Sequence, residues 1–372
     1  MKTYLVQEIP LGSFFSEPVF IDDQFVLASP EMPFSEEIVQ ALKEWDFKQV
    51  LSNGEPRESY VGGELAEKWI ILNDSERIRR AENFYRQFHD YVEDLFTHIT
   101  IAGTLDFNAV AEKIKSVCEV VKEDRRFLLR VQKYPEPGTT QNYLIPHAVK
   151  STVISLIIGF YLKLPVHRLI ELGVAALLHE VWMLKLPSQV YLSTQALTPA
   201  ERKTILTHPV LGFNVLKSFD FPLTISLAAL EHHERENGSG YPQKLTGDKI
   251  SFYSKIIAVA CSYEALTTNR PHKTAKDSHT GMLDLLKNEG KQYDEAIIRA
   301  LVFSLSIYPV GLYVLLSSGQ KAQVVDVNPE NPRFPIVQVL GELVVDGKNN
   351  TINTSPEGIF IVRPLTREEM DA

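Results

Sequence analysis

The sequence predicts a mainly α-helical protein with a small α/β module at its start and a short β-rich tail. Three observations lead there. Through the middle of the chain apolar residues recur at steps of three and four, as one face of a helix requires. Before about residue 50 and after about residue 306, short β-branched or apolar runs replace that pattern. Turn-rich breaks fall at Asn53-Gly54-Glu55-Pro56 and Tyr134-Pro135-Glu136-Pro137-Gly138. A chain of 372 residues exceeds a usual single-domain length. The expected division is an α/β module over 1–56, a helical connector over 57–132, a helical domain over 133–305 and a β-rich tail over 306–372.

In the first module, Pro18 to Ile21 and Gln24 to Leu27 read as strands. One amphipathic helix follows, with Ser35 as its N-cap, acidic Glu36 and Glu37 in its first turn, and Ile38, Leu42 and Trp45 as its apolar face. In the connector, Ile78, Ala81, Phe84, Phe88, Tyr91 and Leu95 carry the helical spacing, and Leu105 to Val131 repeats it. Strongly apolar helices are expected over His147 to Leu164 and Val166 to Leu184. In the second of these, Leu172, Ala176 and His179 share a face, so His179 points inward. Thr198-Pro199-Ala200-Glu201 starts another helix. Further helices are expected at Pro222 to His233, Phe252 to Thr267 and Tyr293 to Leu305, and strands at Tyr313 to Leu316, Ala322 to Val327 and Pro335 to Leu340.

Hydrophobic residues at 44% suffice for a real core, and the net charge of -9 argues against a nucleic-acid polymer or an anionic membrane as partner. Any phosphate-bearing ligand therefore needs a local cationic pocket. Two cysteines give no disulfide framework. The start lacks a signal peptide's apolar core, and runs such as Val153 to Leu164 are too short and interrupted to span a membrane. A cytoplasmic location is expected.

The chemistry is concentrated in histidine. His232-His233-Glu234 stands just ahead of Gly238-Ser239-Gly240-Tyr241-Pro242, with His147, the pair His179-Glu180 and His208 upstream. Adjacent histidines are rarely needed for packing, since each buried imidazole must find partners for its nitrogens. Five histidines and a carboxylate over one stretch form the inventory of a metal site, although any one alone would pass for a core or surface residue. His89, His98, His167, His272 and His279 lie outside the pattern and default to structural or surface roles.

Leu177-Leu178-His179-Glu180, Thr207-His208-Pro209, His232-His233-Glu234, Gly238 to Pro242 and Ile256-Ile257-Ala258-Val259-Ala260 resemble, in order and spacing, the bacterial HD-GYP domain. This is the branch of the HD phosphohydrolases associated with hydrolysis of cyclic di-GMP. The resemblance runs from about His147 to Lys273 and implies an HD-type helical bundle. It also implies a metal held by His147, His179 and Glu180, with Glu180 bridging to a second metal held by His208, His232 and His233. Two divalent transition ions (Fe, Mn, Zn or Ni) are expected, with His179 and Glu180 as the catalytic centre. Gly240 and Tyr241 would flank a cyclic dinucleotide, and Arg270 and Lys273 match the family's phosphate-contacting pair.

The chain departs from the family at four positions. Glu180 replaces an aspartate and adds a methylene. Cys261 replaces a metal-binding aspartate, and two readings of it stand open: a soft thiolate ligand, or a buried cysteine acting as a small apolar residue. Met183 replaces a lysine and cannot donate to phosphate. Tyr143 replaces a glutamate that holds a third metal in some members. The resemblance thus implies a metal-dependent phosphodiesterase slowed by these changes. The alternative is an impaired cyclic di-GMP receptor or signalling scaffold that passes its bound state to a partner protein.

Overall fold

The computed structural model describes all residues except 22–25, 29–33, 45–46, 58–63, 132–133, 135–141, 271–273, 329–330, 341–350, 366–368 and 370–372, and leaves out the side chains of 26, 36–37, 41, 44 and 64–75. The chain forms two compact units, residues 1–76 with 341–350 and residues 77–340 with 351–372.

In the first unit, strands β1 (Lys2–Leu5), β2 (Phe14–Phe15), β3 (Val19–Phe20) and β4 (Val26–Ala28) precede helix α1 (Glu36–Glu44), then β5 (Gln49–Ser52) and β6 (Pro56–Arg57). An antiparallel sheet has the order β1-β5-β3-β4, and β2 pairs with β6. Ser35 Oγ accepts from the Ile38 amide at 3.3 Å, the bond expected of an N-cap. Leu42 and Ile38 pack with Val6, Ile9, Phe15, Phe34 and Val50. Trp45 lies outside the described residues.

The division between the units falls within α2 (Glu64–Ala102), which is followed by α3 (Phe107–Arg130). In α2 the fully buried stripe is Ala81, Tyr85, Phe88, Val92, Phe96 and Ile99. Ile78, Phe84, Tyr91 and Leu95, expected to be buried, sit half-buried on its flank. Both phases obey helical spacing, so the sequence did not separate them.

Next come α4 (Leu144–Tyr161), α5 (Val166–Leu178), α6 (Ser188–Tyr191), α7 (Pro199–Ile205), α8 (His208–Ser218), α9 (Leu223–Glu231), α10 (Phe252–Thr267), α11 (Ser278–Leu286) and α12 (Glu295–Leu305). Side chains from α2 through α12 share one hydrophobic core. Among the described residues α4 alone is long and apolar enough to cross a membrane, and 83% of it is buried inside the protein. Helix α7 opens on a capping box, in which Thr198 Oγ1 accepts from the Glu201 amide and Glu201 accepts from the Thr198 amide.

The helix expected over Val166 to Leu184 stops at Leu178. Glu180 leaves helical geometry at φ -108 and ψ -4, and Val181–Lys185 forms a short 3-10 turn. Val181, Trp182 and Met183 in this turn are all buried. The break also leaves His179 and Glu180 at a helix end.

The tail forms an antiparallel sheet of β7 (Tyr313–Leu316), β8 (Lys321–Asp326), β9 (Ile336–Val339), β10 (Thr351–Asn353) and β11 (Ile361–Pro364), in the order β10-β9-β8-β7-β11. Alternate residues Val314, Leu316, Ala322, Val324, Val337 and Val339 fill its own small core.

Candidate metal centre

Three helix ends supply the centre. His179 caps the C-terminus of α5, His232 caps that of α9, and His208 follows shortly after the end of α7. The last four carbonyls of a helix lack amide partners within it. Each of these rings takes one. His179 Nδ1 donates to the Ala176 carbonyl at 2.6 Å, His208 Nδ1 to Ile205 at 2.7 Å, and His232 Nδ1 to Ala229 at 2.9 Å. A carbonyl can only accept, so Nδ1 carries a proton, and in the neutral tautomer Nε2 is left with a bare lone pair.

Those lone pairs face one another. His208 Nε2 and His232 Nε2 are 3.3 Å apart. Glu180 lies among them: its Oε2 is 3.4 Å from His208 Nε2, and its Oε1 is 3.9 Å from His232 Nε2 and 3.6 Å from His233 Nε2. The His147 and His179 rings are 5.2 Å apart, and His179 and His232 are 4.9 Å apart, centre to centre. Ligand atoms of Glu180, His208, His232 and His233 all lie within 4.8 Å of one another, as do those of His147, His179 and Glu180. Glu180 belongs to both sets.

This arrangement fits a bound cation better than an empty polar core. His179 Nε2 and Glu180 Oε2 are buried with no hydrogen-bond partner among the described residues. Orphan acceptors in a dry site are expensive unless something positive satisfies them. Burial, first of all, depresses the His179 imidazole to about 3, His233 to about 4 and His232 well below its usual value, so these rings stay neutral and able to ligate.

His147 is anchored differently. It lies in the first turn of α4 and its Nδ1 meets Glu264, a carboxylate on α10 with 1% exposure. His147, Arg270 and Lys150 overcome burial to hold the Glu264 carboxyl down at about 2. The same Glu264 Oε2 accepts from Arg270 Nη2 at 3.4 Å, and the Arg270 guanidinium lies over the Tyr143 ring at 5.2 Å. Glu264 was not singled out in the sequence, and Tyr143 was noted only as a departure from the family's pattern. The one available signal was a carboxylate inside the apolar run from Ile256 to Leu266.

Glu234 closes the glycine-rich turn by accepting from the Gln243 amide at 2.6 Å and the Leu245 amide at 3.0 Å. A Cβ at Gly240 would lie 2.4 Å from Glu234 Cα and 2.5 Å from both the Arg235 nitrogen and the His233 carbonyl oxygen, so only glycine passes there. The turn delivers Tyr241, whose ring stacks on His233 at 4.6 Å.

Two expected residues stand apart. Cys261 belongs to neither ligand set: its thiol donates weakly to the Ala258 carbonyl at 3.5 Å, and burial pushes it up to about 12. A thiol so hard to ionise is a poor metal ligand without help. Lys273 lies outside the described residues.

Residues 138–297 match the family model for the HD domain. The chain is 23% identical over 332 residues to the cyclic di-GMP phosphodiesterase PdeB of Borreliella burgdorferi, covering 81% of this chain and 86% of that one. It is 26% identical to a cyclic di-GMP phosphodiesterase of Pseudomonas aeruginosa, covering 71% of this chain and 63% of the relative. Identity to a cyclic di-GMP phosphodiesterase response regulator of Xanthomonas campestris is 35%, over 36% of each chain. A solved HDG"Y"P protein from Bdellovibrio bacteriovorus shares the fold at a TM-score of 0.50 and 14% identity, over 81% of this chain and 97% of that one. The match to the HD domain over residues 138–297 agrees with the HD-GYP resemblance of the motifs.

Proposed function

We propose that this chain is a metal-dependent phosphodiesterase that hydrolyses cyclic di-GMP. One observation carries the reading: five imidazoles and one shared carboxylate, drawn from separate helices, gather with unpartnered acceptors facing inward. The names of its relatives supply the substrate class.

In this reading His147, His179 and Glu180 would hold one divalent ion, and Glu180, His208, His232 and His233 would hold a second. Such a pair, when bound, supplies a nucleophilic water at neutral pH and positive charge over the phosphoryl oxygens. The chain's own residues do the rest. The Nδ1 anchors keep the rings in one tautomer and orientation. Tyr241, stacked on His233, offers a flat face to a nucleobase. Arg270 meets a phosphate with a planar guanidinium, and we assign Lys273 to the same anion. Cys261 fills space beneath the site. Imidazole and carboxylate donors suit Fe, Mn, Zn or Ni alike. Both cysteines are free and buried, which fits a reducing cytoplasmic setting.

The test is incubation of metal-loaded full chain with cyclic di-GMP, following product by chromatography. Multiple turnovers per chain are expected. Saturable binding without product would overturn the enzyme reading in favour of a receptor.

A further inference from the structure

We propose that Glu264 is a positioning residue for this centre, a single carboxylate that sets the His147 ring and holds the Arg270 guanidinium beside it. The inference rests on the metal-centre reading above and adds a residue to it. His179, His208 and His232 have spare helix-end carbonyls to orient them. His147, in the first turn of α4, has no such carbonyl on its Nδ1. Its Nδ1 lies against Glu264, 117 residues away, and 3.2 Å from Arg270 Nη2; a guanidinium can only donate, so Glu264 is the one acceptor that both the ring and the guanidinium face.

A buried carboxylate is a costly way to fill a helix face, and an apolar side chain of similar volume would often be as stable or more so. Glu264 is 1% exposed, on a helix whose neighbouring positions Ala260, Cys261 and Tyr263 are all buried and chiefly apolar. Its two contacts are directed at the site, one to His147 and one to Arg270 at 3.4 Å. A carboxylate behind an imidazole raises the ring's donor strength and fixes its aim, and loss of such a partner typically weakens metal binding by about 10–100-fold. Because the same oxygen restrains Arg270, that loss also frees the phosphate-facing guanidinium.

The experiment is zinc titration of the full chain by calorimetry, comparing wild type, Glu264→Gln, His147→Asn and the double variant. Glu264→Gln should weaken one class of metal site by about 10–100-fold, leave the other class unchanged and raise KM for cyclic di-GMP. In the His147→Asn background the same change should add no further loss. Unchanged zinc affinity in Glu264→Gln, or an equal loss with His147 already removed, overturns the inference alone. A wild-type chain that takes up no zinc overturns the metal-centre reading with it. Should the variants fail to fold, histidine 15N resonances of the zinc-loaded wild type decide: His147 must carry its proton on Nδ1, and a bare Nδ1 overturns the inference.

Discussion

Glu180 is the residue on which both ligand sets depend. Glu180→Gln keeps the shape and removes the charge, so it should lower turnover by more than the roughly 100-fold that misplacing a reacting group can cost. Steady-state kinetics with near-wild-type rates would show that the shared carboxylate is not used. Cys261→Ala should change metal content by less than about twofold, as expected of a small apolar filler; elemental analysis of the two proteins side by side settles this. The pH dependence has a definite sign. His179 and His233 titrate at about 3 and about 4 in the fold, against 6.5 in the open chain. The unfolded state therefore takes up protons first, and the metal-free protein should be most stable above about pH 6.5. Its thermal midpoint should fall as pH drops from there toward 4. A flat profile across that window would mean the rings are not buried as described. At this scale the sequence was generous with the histidines, because adjacent and repeated imidazoles have few structural uses. It was silent on Glu264, whose meaning depends on a partner more than a hundred residues away.

Among the elements, the helix ends matter most, and they were the least legible. A run such as Val166 to Leu184 reads as one helix because its apolar spacing continues with no proline to break it. The stop at Leu178 carries no such local mark, and the residues beyond it, Val181, Trp182 and Met183, are buried in a 3-10 turn. The sequence marked Met183 as a missing phosphate contact, yet it is 3% exposed and packed in the main core. Met183→Lys should cost about 3 kcal/mol of stability by burying a charge in the apolar core, read by chemical denaturation; an unchanged midpoint would place that side chain in solvent. Gly240→Ala should cost about 1–3 kcal/mol through overpacking against the His233–Arg235 backbone and weaken cyclic di-GMP binding. Capping signals at Ser35 and Thr198, and the period-two runs of the tail, were legible because caps and pleats are local.

Taken whole, the molecule shows why its composition gave the class but not the seams. Residues of α2 and α3 contribute to the same core as those of α4 to α12. The division between the compact units falls inside α2, at a point where helical patterning continues without a turn or a proline. Residues 77–372 should accordingly take up as much metal as the full chain, and a large loss would show that the N-terminal unit completes the site. The decisive measurement is the transition-metal content of the purified full chain and of its His232→Ala variant by mass spectrometry. The account predicts about two equivalents per wild-type chain and a clear loss in the variant. A wild-type protein free of such metals after loading, or a variant that keeps its full complement, would contradict it.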